Sequence, residues 1–289
     1  MARGRITRRA WGRGSLALLA AAGAVGCEDK QELANQLAPG ALEHLLPLLK
    51  RDTEQIRTGL PKGAAILSKH LDERPEDDRE AIFRAMKTAR SEVKELAVAK
   101  GSFFVFVAPS GLVLRGESEP DLAADHSLTE AIPDAKALLR ADAGLKETWG
   151  YMEGLRGVNK GDDIQWVVGH PVEVKDKFVG TFVTGFSLRF YAKVLEYALN
   201  AHMRKQMKDP KKPPPLTYPF IIKGGTAYGG PVTPDTNMES IASLDLVNRA
   251  KDQMTVDDIE IDGRKFRVVG KTTPVLAPDT AIAVSLSGV

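Results

Sequence analysis

The apolar positions along the chain change period several times, and each change marks an element. Leu42, Leu45, Leu46 and Leu49 recur at helical spacing, but Pro39, Pro47, Pro61 and Pro75 punctuate the same region. Residues 27–75 therefore read as a linker and short helices. After Pro75 the acidic run Glu76-Asp77-Asp78 suits a helix N-terminus, where carboxylates complement the dipole. Ile82, Met86, Ala89, Val93 and Leu96 then alternate spacings of four and three, which predicts one long amphipathic helix ending near Gly101.

At Ser102 the pattern becomes that of strands. Phe103-Phe104-Val105-Phe106-Val107 is a buried run, Pro109-Ser110-Gly111 turns it, and Leu112-Val113-Leu114 returns as a hairpin. A polar, helical region spans Asp121 to Lys146. Thr148 to Met152, Ile164 to Val174 and Phe178 to Phe186 read as strands, the last two forming a hairpin through Lys175-Asp176-Lys177. Leu188 to Met207 returns to helix, and the proline-rich stretch Pro210 to Pro215 is a linker, because consecutive prolines sustain neither helix nor sheet interior.

Beyond the linker the pattern restarts. Tyr218 to Lys223 and Ala227-Tyr228 bracket a Gly224-Gly225 turn, and Met238 to Gln253 reads as helix. Val256 to Ile261 pairs through Asp262-Gly263 with Lys265 to Thr273, and Ala281 to Leu286 is a final strand. The expected fold class is α+β: an N-terminal helical stalk and two successive antiparallel-sheet modules, the first with its long helix over residues 76–209, the second and smaller over 210–289.

The N-terminus carries Arg3, Arg5, Arg8, Arg9 and Arg13 with no acid, followed by a short apolar run from Leu16 to Val25. About ten apolar residues span roughly 15 Å as helix, half a hydrocarbon core, so the segment reads as an export signal over residues 1–26 rather than a membrane span. Ala24-Val25-Gly26-Cys27 resembles the lipobox of bacterial lipoproteins, which implies cleavage before Cys27 and a covalent lipid, with its palmitate, on that thiol. Cys27 is the only cysteine, so intrachain disulfides and thiolate metal sites are excluded. Thr7-Arg8-Arg9-Ala10-Trp11-Gly12 looks like a degenerate twin-arginine motif, which implies export of a folded protein.

Removing five arginines and no acids takes the formal charge from +2 to −3, so the basicity belongs to the signal and a nucleic-acid partner is unsupported. The expected location is extracytoplasmic, on the periplasmic side or cell surface, with the lipid holding the protein to the membrane.

The order of the two modules resembles the PAS-like sensor domains of the Cache superfamily. The residues 103–114 match its opening hairpin, and His170-Pro171-Val172 through Val179 to Gly185 match its closing pair. The resemblance implies binding of a small molecule between the sheet and the helical insert, without chemistry. It also implies a downstream effector, and the chain stops after its last strand at Val289. The expected partner is therefore a separate membrane signalling protein.

Trp149, Tyr151, Arg156, Trp166 and His170 are the candidate ligand-binding residues of the first module: Arg156 for a carboxylate, the aromatic faces for an amine or an apolar group. Each also has an ordinary structural role open to it, as core aromatic, loop arginine or hydrogen-bonding histidine. The remaining histidines show no metal spacing, and no nucleophile elbow, phosphate loop or calcium loop occurs, so neither an enzyme nor a metal or other cofactor is expected. The leading function is a lipid-anchored small-molecule sensor. The alternative is a structural or protein-interaction lipoprotein that uses the modules as a scaffold, through its sheets or by pairing the seam from Ile82 to Leu96 with a second chain.

Overall fold

A computed structural model describes residues 17–152, 163–209, 211–251 and 253–288, with side chains from Gln31 onward. Its first element, α1 (Ala17–His70), is one helix of 54 residues that runs through Pro39, Pro47 and Pro61. This corrects the expectation of a linker and short helices. Ala34, Ala38, Ala41, Leu42, Leu45, Leu49, Ile56, Leu60, Ala64 and Leu67 form a buried stripe along it. A proline inside a helix costs about 3 kcal/mol, whereas each fully buried leucine or isoleucine returns roughly 1.5–3 kcal/mol, so tertiary packing outweighs the breakers.

The expected single helix before Gly101 is broken. After a 3-10 turn at Pro75–Asp77, α2 (Arg79–Glu92) starts from Asp78, whose carboxylate accepts from Ala81 N at 2.8 Å. It stops at Val93, which is extended and leads into α3 (Lys94–Val98). The bend seats Leu96 against Gly59 and Gly63 of α1: a Cβ on Gly63 would stand 2.6 Å from Leu96 Cδ1 and 2.9 Å from the Phe182 ring. The buried positions of α2 and α3 thus pack on the chain's own α1.

The first sheet comprises β1 (Phe103–Val107), β2 (Val113–Gly116), β3 (Lys146–Tyr151), β4 (Ile164–Val174) and β5 (Lys177–Ser187), in the order β2-β1-β5-β4-β3. Between β2 and β3 the expected long helical region is only α4 (Leu128–Ala131) and the 3-10 turns Pro133–Leu138 and Ala141–Ala143, because Pro133 forces Ile132 into an extended conformation. The β4–β5 turn matches expectation, with positive φ at Lys175 and Asp176.

Helix α5 (Leu188–Gln206) leads to the second sheet: β6 (Leu216–Lys223), β7 (Thr226–Gly229), β8 (Thr255–Ile261), β9 (Arg264–Thr272) and β10 (Thr280–Ser287), ordered β7-β6-β10-β9-β8. The two sheets repeat one topology, hairpin first and last strand in the centre, in keeping with the repeated order of elements along the sequence. The expected helix from Met238 to Gln253 is two pieces, α6 (Asp235–Ala242) and α7 (Leu246–Arg249), separated at Asp245 with its φ of 48°.

Helix α1 packs on β4 and β5 of the first sheet and on β9 and β10 of the second. One face of each sheet therefore joins a continuous core along α1, and the opposite faces form separate clusters beneath α4 and beneath α6.

Candidate ligand-binding faces of the two sheets

Strand alternation decides which side chains can share a pocket. On β4, Trp166 and Val168 belong to the core along α1, and Val167 belongs to the cluster under the insert. Trp149 pairs with Trp166, and Tyr151 with Ile164, so both lie on the α1 side as well. His170 has the same parity, and its Nδ1 lies 2.9 Å from Pro171 O. The four described candidate residues consequently share one face of the sheet, and it is opposite the helical insert. Arg156 and the loop Gly154–Gly161 lie outside the described residues.

Their surroundings are those of a joint between stalk and sheet. Trp166 is fully buried; its Nε1 donates to Glu147 Oε2 at 2.9 Å, and Glu147 is gripped by Arg57 of α1 at 2.5 and 2.8 Å. The Arg57 guanidinium also lies 5.3 Å from the centre of the Trp166 ring. Trp149 is half-buried with Lys223 Nζ of the second module 5.2 Å from its ring, and Tyr151 is exposed at the end of β3. Helix α5 is tied to the stalk by Tyr191, whose hydroxyl donates at 2.9 Å to Asp52, a carboxylate only 2% exposed.

On the other face, Phe103, Val105, Val107, Val167 and Val183 meet Leu128, Ile132, Ala135 and Leu138, which fill the middle of the space under the insert. Open volume remains at its rim, a cavity of about 250 Å³ bounded by β1, Gly116 and the loop from Ser118 to Ala123. Asp121 fixes that rim by accepting from Gly116 N at 2.7 Å, Arg115 Nη1 at 2.9 Å, Ala123 N at 3.1 Å and Ala124 N at 3.2 Å. Burial by itself would raise this carboxyl, but the four donors outweigh it and hold Asp121 below the usual carboxylate range. Arg115 also pairs with Glu119 and lies 4.5 Å from the Phe83 ring centre. Sequence reasoning passed over this rim. The signal for it was Arg115, Glu119 and Asp121 spaced closely around Pro120 in a loop that must turn back onto β1.

The second sheet has its own cleft beneath α6, of about 250 Å³, lined by Leu216, Tyr218, Asn237, Asp262, Arg264 and Phe266 among others. A third open volume of about 420 Å³ lies between α1 and the β8–β9 hairpin, around Gln31, Asn35, Asp258, Glu260 and Lys265. Among the described residues no cluster of His, Cys, Asp and Glu is arranged to hold a metal ion, and no helix is long and apolar enough to cross a membrane.

No family model matches the chain, and no curated protein matches it by sequence. Solved structures do match. The ligand-binding domain of Mlp24 with asparagine aligns at a TM-score of 0.50 and 15% identity, over 90% of this chain and 94% of that one. A domain described as belonging to a sensory box/GGDEF family protein from Vibrio parahaemolyticus aligns at 0.51 and 13% identity, over 88% and 97%. An extracellular ligand-binding receptor from Desulfohalobium retbaense aligns at 0.49 and 12% identity over 86% of this chain, which spans 39% of that receptor. The chain has the fold of such sensory domains, a long N-terminal helix carrying two PAS-like antiparallel sheets of five strands each.

Proposed function

We propose that this protein is a lipid-anchored extracytoplasmic sensor that binds a small molecule in its first module and reports it to a separate membrane protein. The observation that carries this reading is the double-module fold on one stalk helix, shared over most of the chain with a domain solved with asparagine bound. The rim cavity beside Asp121 is the place for the ligand, since it opens at the insert side of the first sheet and its walls are held by a saturated polar knot.

Lipid on Cys27 gives this architecture an orientation. Gly288 N, at the end of β10, donates to Gln31 Oε1 at 3.1 Å, four residues after that cysteine. At ~1.5 Å per helical residue the second module would begin about 6 Å from the lipid, and the first module, which meets α1 around Arg57 and Gly63, would stand farther from the bilayer. A lipid holds the protein without spanning the bilayer, so the signal passes to a partner through α1 or the second module. Palmitate, the export signal and the twin-arginine route belong to this same reading.

The test is a thermal-stability screen of the full chain against amino acids, organic acids and amines, repeated with Ser118→Trp, which plugs the rim from an exposed position. A ligand at a hundred times its Kd adds about 2.7 kcal/mol. A shift abolished by Ser118→Trp supports the site. The absence of any shift favours the scaffold reading, which the filled apolar space under the insert also fits. Incorporation of a palmitate analogue, lost in Cys27→Ser, tests the anchor.

A further inference from the structure

Among the second module's buried polar side chains without partners, Asn237 and Ser285 point into the same face of its sheet, and a cleft is lined by the first. Asn237, on α6, is 4% exposed, and its Nδ2 meets no hydrogen-bond acceptor among the described residues. Ser285, fully buried on β10, has an Oγ in the same condition. Ser285 pairs across the sheet with Tyr218 on one side and Val268 on the other, and Val268 belongs to the cluster beneath α6. The amide of Asn237 thus comes down from the helix, and the hydroxyl of Ser285 comes up from the sheet, into the same layer.

Leaving a buried polar group unpaired costs about 1–3 kcal/mol, and folded proteins keep few of them. Around Asn237 the cleft supplies an apolar and aromatic wall from Leu216, Tyr218 and Phe266. At its mouth stand Asp262 and Arg264 from the β8–β9 turn. Asp262 Oδ2 accepts from Thr236 Oγ1 at 3.2 Å, whereas Arg264 is exposed and makes no ion pair among the described residues. Neither charge at the mouth is ion-paired among the described residues, but the Asp262 carboxylate is engaged by Thr236 while the Arg264 guanidinium is not engaged, and the unpaired group inside is a donor.

We propose that this cleft is a second binding site, for a short carboxylate that carries one further acceptor oxygen. Arg264 takes the carboxylate, for which its guanidinium has the right fork geometry. Asn237 Nδ2 donates to the acceptor oxygen, and the carbon body lies against Tyr218 and Phe266. At ~30 Å³ per water the cleft holds about eight water volumes, below the roughly 300–1,000 Å³ of sites for drug-sized molecules, so the ligand has only a few carbons. The site is separate from the rim cavity of the first module and stands whether or not that cavity is used.

Titration calorimetry of the full chain with three probes tests it. 3-Methoxypropionate has both features, pentanoate has the same length without the ether oxygen, and 3-methoxypropionamide has no charge. The expected result is binding of 3-methoxypropionate at least tenfold tighter than of the other two. Asn237→Leu should erase its advantage over pentanoate, and Arg264→Gln, at an exposed position, its advantage over the amide. Ser118→Trp should change neither. Asn237→Leu should also melt at or above the parent temperature, because it removes an unpaired amide. The proposal is overturned if 3-methoxypropionate gives no saturable heat, if neither variant alters the preference, or if Ser118→Trp abolishes binding and so places it in the first module. Failure of the first-module screen with these preferences intact would overturn only the reading under Proposed function.

Discussion

Replacing Tyr191 by Phe removes one oxygen from the seam between α1 and α5 and leaves the ring, stacked on Phe186 at 4.4 Å, in place. The loss falls on Asp52, whose Oδ2 accepts from that hydroxyl at 2.9 Å. Its Oδ1 keeps Arg51 at 2.7 and 2.8 Å, so the carboxylate stays paired through a residue that is itself largely exposed. A hydrogen bond to a charged group is worth about 1.5–3 kcal/mol, and the expected loss is ~2 kcal/mol. At roughly 2–4 °C per kcal/mol for a chain of this size, the melting temperature falls by about 4–8 °C. Burial, and then the charge of Asp52, push the Tyr191 hydroxyl well above its ordinary range, so the contact is not lost by ionisation of the phenol at neutral pH. The assay is urea unfolding followed by tryptophan fluorescence, with the midpoint lowered and the slope unchanged. In an Asp52→Asn background the same replacement should cost only about 1 kcal/mol, as for a neutral acceptor. A loss below ~0.5 kcal/mol, or an equal loss in both backgrounds, would refute the reasoning.

Stability should also fall as the pH is lowered from about 7.5 to 5.5. Burial, His202 and Lys205 push the His44 imidazole below its ordinary value, and its ring stacks on His202 at 4.1 Å. The unfolded chain then binds a proton that the folded chain resists, so this contribution is complete above ~6.5 and lost as pH falls toward the folded value. Denaturant midpoints across that range check it, and His202→Gln should flatten the slope; an unchanged slope sinks the assignment. Pro47→Ala, at an exposed position inside α1, should raise stability by about 1–3 kcal/mol by restoring a helical hydrogen bond. A lower urea midpoint would show instead that the proline sets the course of α1 along the two sheets.

Much of the sheet architecture was legible in the sequence, because strand runs such as Phe103 to Val107 and the turns at Lys175-Asp176 and Gly224-Gly225 are local signals, and positive φ occurs at both turns. In the stalk, Pro39, Pro47 and Pro61 argue locally for breaks, and the apolar stripe that runs past them from Ala34 to Leu67 overrides them. Proline is a local cost, and the stripe pays it back only when two sheets are present to cover it. The break at Val93 follows instead from where Leu96 must be seated against Gly59 and Gly63, which no local pattern carries, whereas the break before Pro133 is a local effect of that proline.

The candidate site shows the same division. Trp149, Tyr151, Trp166 and His170 are grouped in the sequence by residue type, and the strand register puts them on one face. Which face that is depends on where α1 and the insert pack, and no period within β3 or β4 carries that information. The unpaired amide of Asn237 likewise became visible only once α6 lay on the sheet. By itself the sequence determined the two repeated modules, the apolar alternation of their strands and a single thiol at Cys27. Only the tertiary structure decided that α1 is continuous, which sheet face meets it, and which polar groups are left unpaired, because those outcomes depend on contacts between residues far apart in the chain.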